Sequence, residues 1–235
     1  MGVLWGIWES MIERHPALPI GTAWLTILAA ALVVLLPVFW RVGRHGITIV
    51  HEGGHGFAAT MSGRRLSGIR LHSDTSGLTV SRGRTRGPGM VFTLVAGYTA
   101  PAVLGLGSAA VLGRGYDVGL LWLLLVSLGL LLIQIRNWFG LWSVAVSGAV
   151  IFAVSWFGSA TVQSMFALLL TAFLLLGSVR TVIELQHSRS RRTAGASDAD
   201  QLARLTHVPG MVWVGVFLSV NLACLILAAR LLGLV

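Results

Sequence analysis

Residues 211–229, MVWVGVFLSVNLACLILAA, form an apolar run that contains no charged residue. At about 1.5 Å of rise per residue, an α-helix of this length crosses the ~30 Å hydrocarbon core of a bilayer. Five further charge-free runs approach or exceed the same length, and they cover residues 22–40, 90–112, 118–135, 138–157 and 162–179. The sequence therefore predicts an all-α polytopic membrane protein.

The composition supports the same class. The chain has 235 residues, of which 55% are hydrophobic and 11% are charged, whereas a soluble domain carries about 25% charged residues. All 17 basic residues are arginine and the net charge is +9. Because the arginines flank the apolar runs, they indicate membrane topology, and we expect no nucleic-acid partner. The single cysteine, Cys224, lies inside the last run and is expected to be a packing residue.

A seventh membrane helix is predicted at residues 47–61, ITIVHEGGHGFAATM. Its two histidines and one glutamate require it to face protein or water rather than lipid. The arginine-rich connection 62–89 and the polar linker 186–207 are expected to be cytoplasmic by the positive-inside rule. Threading about seven helices through these loops places the N-terminal segment 1–19 inside and the C-terminus outside, in a single membrane-embedded domain 1–235.

A short β-hairpin is predicted in the first cytoplasmic connection. Residues 67–82, SGIRLHSDTSGLTVSR, contain two short runs with strand-like alternation around the turn residues 73–77. The edge of such a hairpin is a place where an extended peptide can add as a strand, although a surface hairpin without a ligand is equally compatible with the pattern. The Ser/Arg/Ala-rich segment 188–196 is expected to be a flexible linker.

His51-Glu52-Gly53-Gly54-His55 matches the H-E-x-x-H pattern of zinc hydrolases. On a helix, side chains four residues apart share one face, so both imidazoles can bind one Zn²⁺ ion. Glu52 then acts as the catalytic base for a metal-activated water. The residue composition gives about 0.003 chance matches to this pattern. The alternative is a set of packed or pore-lining polar residues without zinc.

The glycines of this segment allow two interpretations. Gly53, Gly54 and Gly56 can open space for a substrate backbone, but small residues on membrane helices more often allow close helix packing. Asn137, on a turn between two apolar runs, is expected to be an ordinary turn or cap residue rather than an oxyanion donor.

A catalytic zinc needs a third protein ligand. Asp198 and Asp200 precede the last apolar run on the side where His55 is expected. Both also fit a capping role at a helix start, because carboxylates there accept hydrogen bonds from free backbone N–H groups. The residues alone leave the choice between the two aspartates open.

Several short motifs together resemble a known family. They are HEGGH on an apolar helix, GLTV at 77–80, AGY at 96–98, and SDA at 197–199 before a tryptophan-containing helix. Over about residues 46–235 the chain resembles the site-2 protease class of intramembrane zinc metallopeptidases, in the B-like bacterial subgroup of peptidase family fifty. In that class the third ligand is an aspartate in a Leu-Asp-Gly motif, which this sequence lacks. The resemblance implies that Ser-Asp-Ala replaces it, and thus favours Asp198 over Asp200.

The resemblance also implies where and on what the protein acts. We expect a multi-pass protein of the inner or plasma membrane, with its active site near the cytoplasmic face and with the bilayer and a membrane-anchored protein or peptide as partners. The predicted function is zinc-dependent endopeptidase activity, intramembrane or membrane-proximal. The alternatives are a catalytically inactive relative that acts as an interaction protein, and a transporter of metal ions or small molecules.

Overall fold

The computed structural model describes residues 2–191 and 197–234. Within these residues the chain forms nine helices and one antiparallel two-stranded sheet. The elements are α1 (Val3–Ile12), α2 (Ile20–Leu35), α3 (Pro37–Met61), β1 (Arg65–Leu71), β2 (Gly77–Arg82), α4 (Pro88–Leu112), α5 (Asp117–Leu132), α6 (Trp138–Phe157), α7 (Ala160–Ser190), α8 (Asp198–Thr206) and α9 (Gly210–Leu231). The predictions of a mostly helical protein and of a hairpin after the HEGGH helix are confirmed.

Fewer described helices than the seven predicted have the length and hydropathy of a membrane span. Four described helices, α4, α6, α7 and α9, are long and apolar enough to cross a bilayer. Helices α2 and α3 meet this criterion only as a pair, bent by 95° at their junction, and α5 is apolar but has 16 residues. The chain is thus a multi-pass membrane protein, and the prediction of seven spans is not confirmed.

The bend between α2 and α3 corrects the predicted span 22–40. Pro37 occupies the first turn of α3, where its missing N–H is not needed. Leu36 before it is extended, with φ −81° and ψ 122°, because a residue preceding proline avoids the helical region. The guanidinium of Arg180 donates to the carbonyl of Val34 near the C-terminal end of α2. Residues 37–46 therefore belong to the same helix as HEGGH, so the helices predicted at 22–40 and 47–61 are divided at residue 36 and not between residues 40 and 47.

The N-terminal segment lies at the opposite end of the helix bundle from the hairpin, so the prediction that residues 1–19 and the connection 62–89 lie on the same side is wrong. The backbone N–H of His15 donates to the carbonyl of Gly115, at 2.8 Å, in the turn between α4 and α5. The hairpin connection meets the other end of α4, where Ser62 Oγ donates to the carbonyl of Gly89. Because α2 and α3 meet the criterion for a span only as one bent pair, the two separate spans predicted before α4 are not confirmed.

The hairpin is held against the bundle through the outer edge of β1. The Ile69 N–H donates to the carbonyl of Gln134 at 2.8 Å, and the Arg136 N–H donates to the carbonyl of Ile69 at 2.9 Å. The Asn137 side chain extends this pairing, since its amide donates to the carbonyl of Leu71 and accepts from the Leu71 N–H. Asn137 is thus a structural pairing residue. In the described part of the chain, β2 pairs with β1 alone.

The predicted linker 186–207 is largely helical. Helix α7 continues to Ser190, and α8 covers Asp198–Thr206. Of the expected flexible segment 188–196, the first residues are therefore helical, and residues 192–196 lie outside the described part. This region is polar because the end of α7 and one face of α8 are at least partly exposed. The apolar residues Ala199 and Leu202 lie on the buried face of α8.

Candidate metal centre

Three side chains from α3 and α8 converge on one point. His51 and His55 project from successive turns of α3, and their Nε2 atoms lie 3.1 Å apart. The Asp198 Oδ2 atom, at the start of α8, lies 3.5 Å from His51 Nε2 and 3.2 Å from His55 Nε2. In a tetrahedral zinc site with the usual bond lengths, neighbouring ligand atoms are about 3.3 Å apart. The three atoms thus have the spacing of three ligands of a single metal ion.

The protonation of His55 also suits a metal ligand. Its Nδ1 lies 2.7 Å from the backbone carbonyl of Thr93, which can only accept a hydrogen bond. Nδ1 therefore carries a proton, and Nε2 faces His51 and Asp198, where it would offer its lone pair to a bound metal ion. Two imidazole nitrogens and a carboxylate oxygen at this spacing repel one another unless a proton or a metal ion lies between them. The donor set, two nitrogens and one oxygen, is typical of catalytic zinc.

Local sequence explains why Asp198 and not Asp200 reaches the imidazoles. Ser197 is the N-cap of α8 and forms a capping box with Asp200, whose carboxylate accepts from the Ser197 backbone N–H at 3.2 Å. The guanidinium of Arg189 donates to the other Asp200 oxygen at 2.8 and 3.0 Å. Asp200 is therefore engaged on the α7 side of α8. Asp198 lies on the α3 side, so the structure brings it together with His51 and His55.

The charge state of Asp198 is set by two opposing effects. Burial disfavours its charged form, but the hydrogen bonds and charges of His51 and His55 outweigh burial and hold the pKa of this carboxyl below its usual range. Its position in the first turn of α8 favours negative charge as well. Asp198 is consequently ionised at neutral pH, as metal coordination requires.

Glu52 is buried beside the hairpin. Its carboxylate Oε2 accepts a hydrogen bond of 2.6 Å from Thr79 Oγ1, and a Cβ atom on Gly77 would lie 2.5 Å from Glu52 Oε1. Both residues belong to β2, and alternation along a strand places them on the same face. Sequence reasoning did not assign them to the site, although that alternation was visible in the hairpin pattern.

Helix α4 forms the opposite wall of the centre. A Cβ atom on Gly97 would lie 2.4 Å from His55 Cε1 and Nε2 and 2.8 Å from His51 Cε1. The ring of Tyr98 meets the His51 ring edge to face at 4.7 Å and stacks on Phe217 of α9. Gly97 thus provides the space in which both imidazoles turn toward Asp198.

The glycines of the HEGGH segment have different neighbours. A Cβ atom on Gly54 would lie 2.4 Å from the Ala100 Cβ of α4, so Gly54 serves close helix packing. The same addition on Gly53 would meet only the Leu131 side chain, at 3.4 Å, and on Gly56 the nearest atom would be a Leu66 methyl at 3.3 Å. For Gly54 the packing interpretation is therefore confirmed.

Comparison with protein-family models matches residues 24–228 to the family described as Peptidase M50B-like. The match covers most of the chain, including all three side chains of the candidate centre, and it confirms the resemblance inferred from the sequence motifs. Searches of curated proteins and of solved structures find no match.

Proposed function

This chain belongs to the Peptidase M50B-like family, and we propose that it is a zinc-dependent endopeptidase that cleaves a membrane-anchored peptide within or beside the bilayer. One observation carries the proposal. Two histidines and one aspartate, from helices far apart in sequence, place their ligand atoms within 4.8 Å of one another, with a buried glutamate between the histidines in sequence. The glutamate lies where a catalytic base is required, whereas binding of the metal alone does not require it.

The proposed ligands are His51, His55 and Asp198. Three protein ligands leave one coordination position open, as in catalytic zinc sites. If these residues held zinc, the site would supply a bound water whose pKa is lowered to about 7 and a Lewis acid for the scissile carbonyl. The Thr93 carbonyl fixes the ring orientation of His55, and the capping box of α8 fixes the start of the helix that carries Asp198.

Glu52 is the proposed general base. It is 5% exposed and lies next to His51 on α3. In this position its carboxylate accepts a proton from the attacking water and can return it to the leaving amide nitrogen, so that a neutral amine departs. Burial keeps bulk water from competing for that proton.

We further propose that the substrate binds as an extended strand along β2. The outer edge of β1 is occupied by residues 134–136, whereas β2 pairs with β1 alone among the described elements. β2 also lies directly against Glu52 through Thr79. A peptide added to that edge would form backbone hydrogen bonds with β2 and run past the base. A membrane helix must be opened to bind in this way, because its own backbone groups are already paired.

The site is proposed to lie near the cytoplasmic face of the cell membrane. The connection 62–89 contains six arginines, at positions 64, 65, 70, 82, 84 and 86. Arginines of short loops favour the cytoplasmic side. The hairpin and the metal-binding half of α3 lie at that end of the bundle.

The test measures zinc content and cleavage of a single-span reporter protein, both reconstituted in liposomes. Glu52→Gln is expected to keep zinc and to lose cleavage by at least about 100-fold, because a general base contributes about 10²–10⁴ in rate. Asp198→Ala is expected to lose both zinc and cleavage. Asp200→Ala is the matched control, since it removes an equal charge two residues away and should keep zinc.

Three results would contradict parts of this proposal. Wild-type protein without zinc would refute the enzyme assignment. Zinc retained by Asp198→Ala and lost by Asp200→Ala would transfer the ligand role to Asp200. Wild-type protein that binds zinc but cleaves no reporter, with Glu52→Gln indistinguishable from it, would favour the inactive relative.

A further inference from the structure

We propose that Thr79 is a positioning residue that holds the general base Glu52 in its reactive orientation. This inference rests on the proposed function, because it assigns Thr79 a role through Glu52. It gives the hairpin a part in the chemical step in addition to its proposed part in substrate binding.

The first observation is the hydrogen bond itself. Thr79 Oγ1 lies 2.6 Å from Glu52 Oε2 and 3.1 Å from the Glu52 backbone carbonyl. A hydroxyl has one proton to donate, and the shorter distance and the negative charge both favour the carboxylate as its acceptor. The bond ties one carboxylate oxygen to β2 and leaves Oε1 as the oxygen that can face the water.

The second observation is the close approach of the strand. A Cβ atom on Gly77 would lie 2.5 Å from Glu52 Cγ and 2.6 Å from Glu52 Cδ, so any other residue there would displace the side chain. Gly77 and Thr79 share one face of β2. Gly77 packs against the Glu52 side chain, and Thr79 donates a hydrogen bond to its carboxylate. Together the two residues restrict the side-chain torsions of Glu52.

The hairpin is fixed firmly enough to act as such a support. At its tip, the carbonyl of Thr75 accepts from Thr48 Oγ1 at 2.9 Å, and the Thr75 hydroxyl accepts from Arg44 Nη1 at 2.8 Å. Thr48 and Arg44 lie on α3, the helix that carries Glu52. The tip and the middle of the hairpin are thus both bonded to α3, and the donor of Thr79 has little freedom to move relative to its acceptor.

The test replaces the hydroxyl without changing side-chain shape. Thr79→Val should bind as much zinc as the wild type, and its KM should stay within a few-fold of the wild-type value. Its kcat should fall about 10- to 100-fold, because displacing a catalytic group by up to about 1 Å has an effect of that size. Thr79→Ser restores the hydroxyl and should recover most of kcat. Thr85→Val is the matched control, since it makes the same change at an exposed position of the same connection and should leave kcat unchanged.

A double variant separates positioning from a general structural defect. If Thr79 acts through Glu52, then Thr79→Val in the Glu52→Gln background should add no further loss, because residues that act as a unit are not additive. Wild-type kcat in Thr79→Val, or equal loss in Thr79→Ser, would refute the inference. So would loss of zinc in Thr79→Val, or a full additional loss in the double variant.

The same measurements distinguish this inference from the proposed function. Full activity in Glu52→Gln would refute the function and with it the role of Thr79. An inactive Glu52→Gln beside a fully active Thr79→Val would refute the inference alone.

Discussion

A methyl group added to Gly97 would enter the space that the two metal-binding imidazoles occupy. Its Cβ atom would lie 2.4 Å from two atoms of the His55 ring and 2.8 Å from the His51 ring. These are rigid rings whose orientation is fixed by the Thr93 carbonyl and by Asp198. Gly97→Ala therefore tests whether the geometry of the centre depends on the wall that α4 provides.

The expected effect follows from the size of the overlap. Ordinary contact begins at 3.4 Å, so the His55 ring or the backbone of α4 must shift by about 1 Å, whereas metal–ligand distances tolerate about 0.2 Å. Even outer-shell changes reduce metal affinity by about 10- to 100-fold. We expect Gly97→Ala to weaken zinc binding by at least about 100-fold, or about 2.7 kcal/mol.

The assay is competition with a zinc chelator in detergent, combined with circular dichroism to show that the helices persist. Gly107→Ala is the matched control, because it lies on the same helix and its added Cβ would meet no atom within 4 Å. Both substitutions raise helix propensity equally, by about 1 kcal/mol. Wild-type zinc affinity in Gly97→Ala would refute the assignment of Gly97 as the wall of the centre, and equal losses in both variants would refute its steric cause.

Two further predictions concern the supports of the centre. Gly54→Ala should destabilise the protein by about 1–3 kcal/mol, because the added methyl group overpacks α3 against α4. The destabilisation is measured as a lower midpoint of thermal unfolding, which Gly53→Ala should not lower. Equal midpoints for the two variants would contradict the packing role of Gly54. Asp200→Ala should lower the free energy of unfolding by about 1 kcal/mol through loss of the capping box, and its zinc affinity should fall less than that of Asp198→Ala in the same chelator competition. Equal zinc losses would show that the order of α8 matters as much as the ligand itself.

The parts of the structure that sequence could predict are local ones. The charge-free run 138–157 coincides with α6, because length and hydropathy alone decide a membrane helix. The hairpin followed from alternation around the turn near Asp74, whose carboxylate accepts from the Ser76 N–H. His51 and His55 share a face because helical spacing dictates it.

The errors in the predicted helix boundaries and in the placement of the N-terminal segment have a physical cause that the sequence partly shows. Pro37 follows two leucines inside an apolar run, and hydropathy gives such a proline no weight, although it ends one helix and begins another. Without that helix break, residues 37–61 are predicted to lie in two membrane helices, and the N-terminal segment is predicted on the same side as the hairpin, whereas the structure places the two at opposite ends of the bundle. Gly97 and Thr79 could not be assigned from sequence, since their roles depend on contacts between elements whose relative placement no local pattern determines.

The bend at Pro37 also explains how so many elements meet at one turn of a helix. A straight continuation would extend α2 along its own axis, whereas the 95° bend makes α3 run nearly perpendicular to α2. The second half of α3 then meets α4 through Gly54, β2 through Glu52, and α8 through His55. Each neighbour supplies what α3 lacks: space for the imidazoles, a donor for the base, and an anionic third ligand. Asp198 can supply that third ligand because the first turn of α8 places its carboxylate beside both His51 and His55.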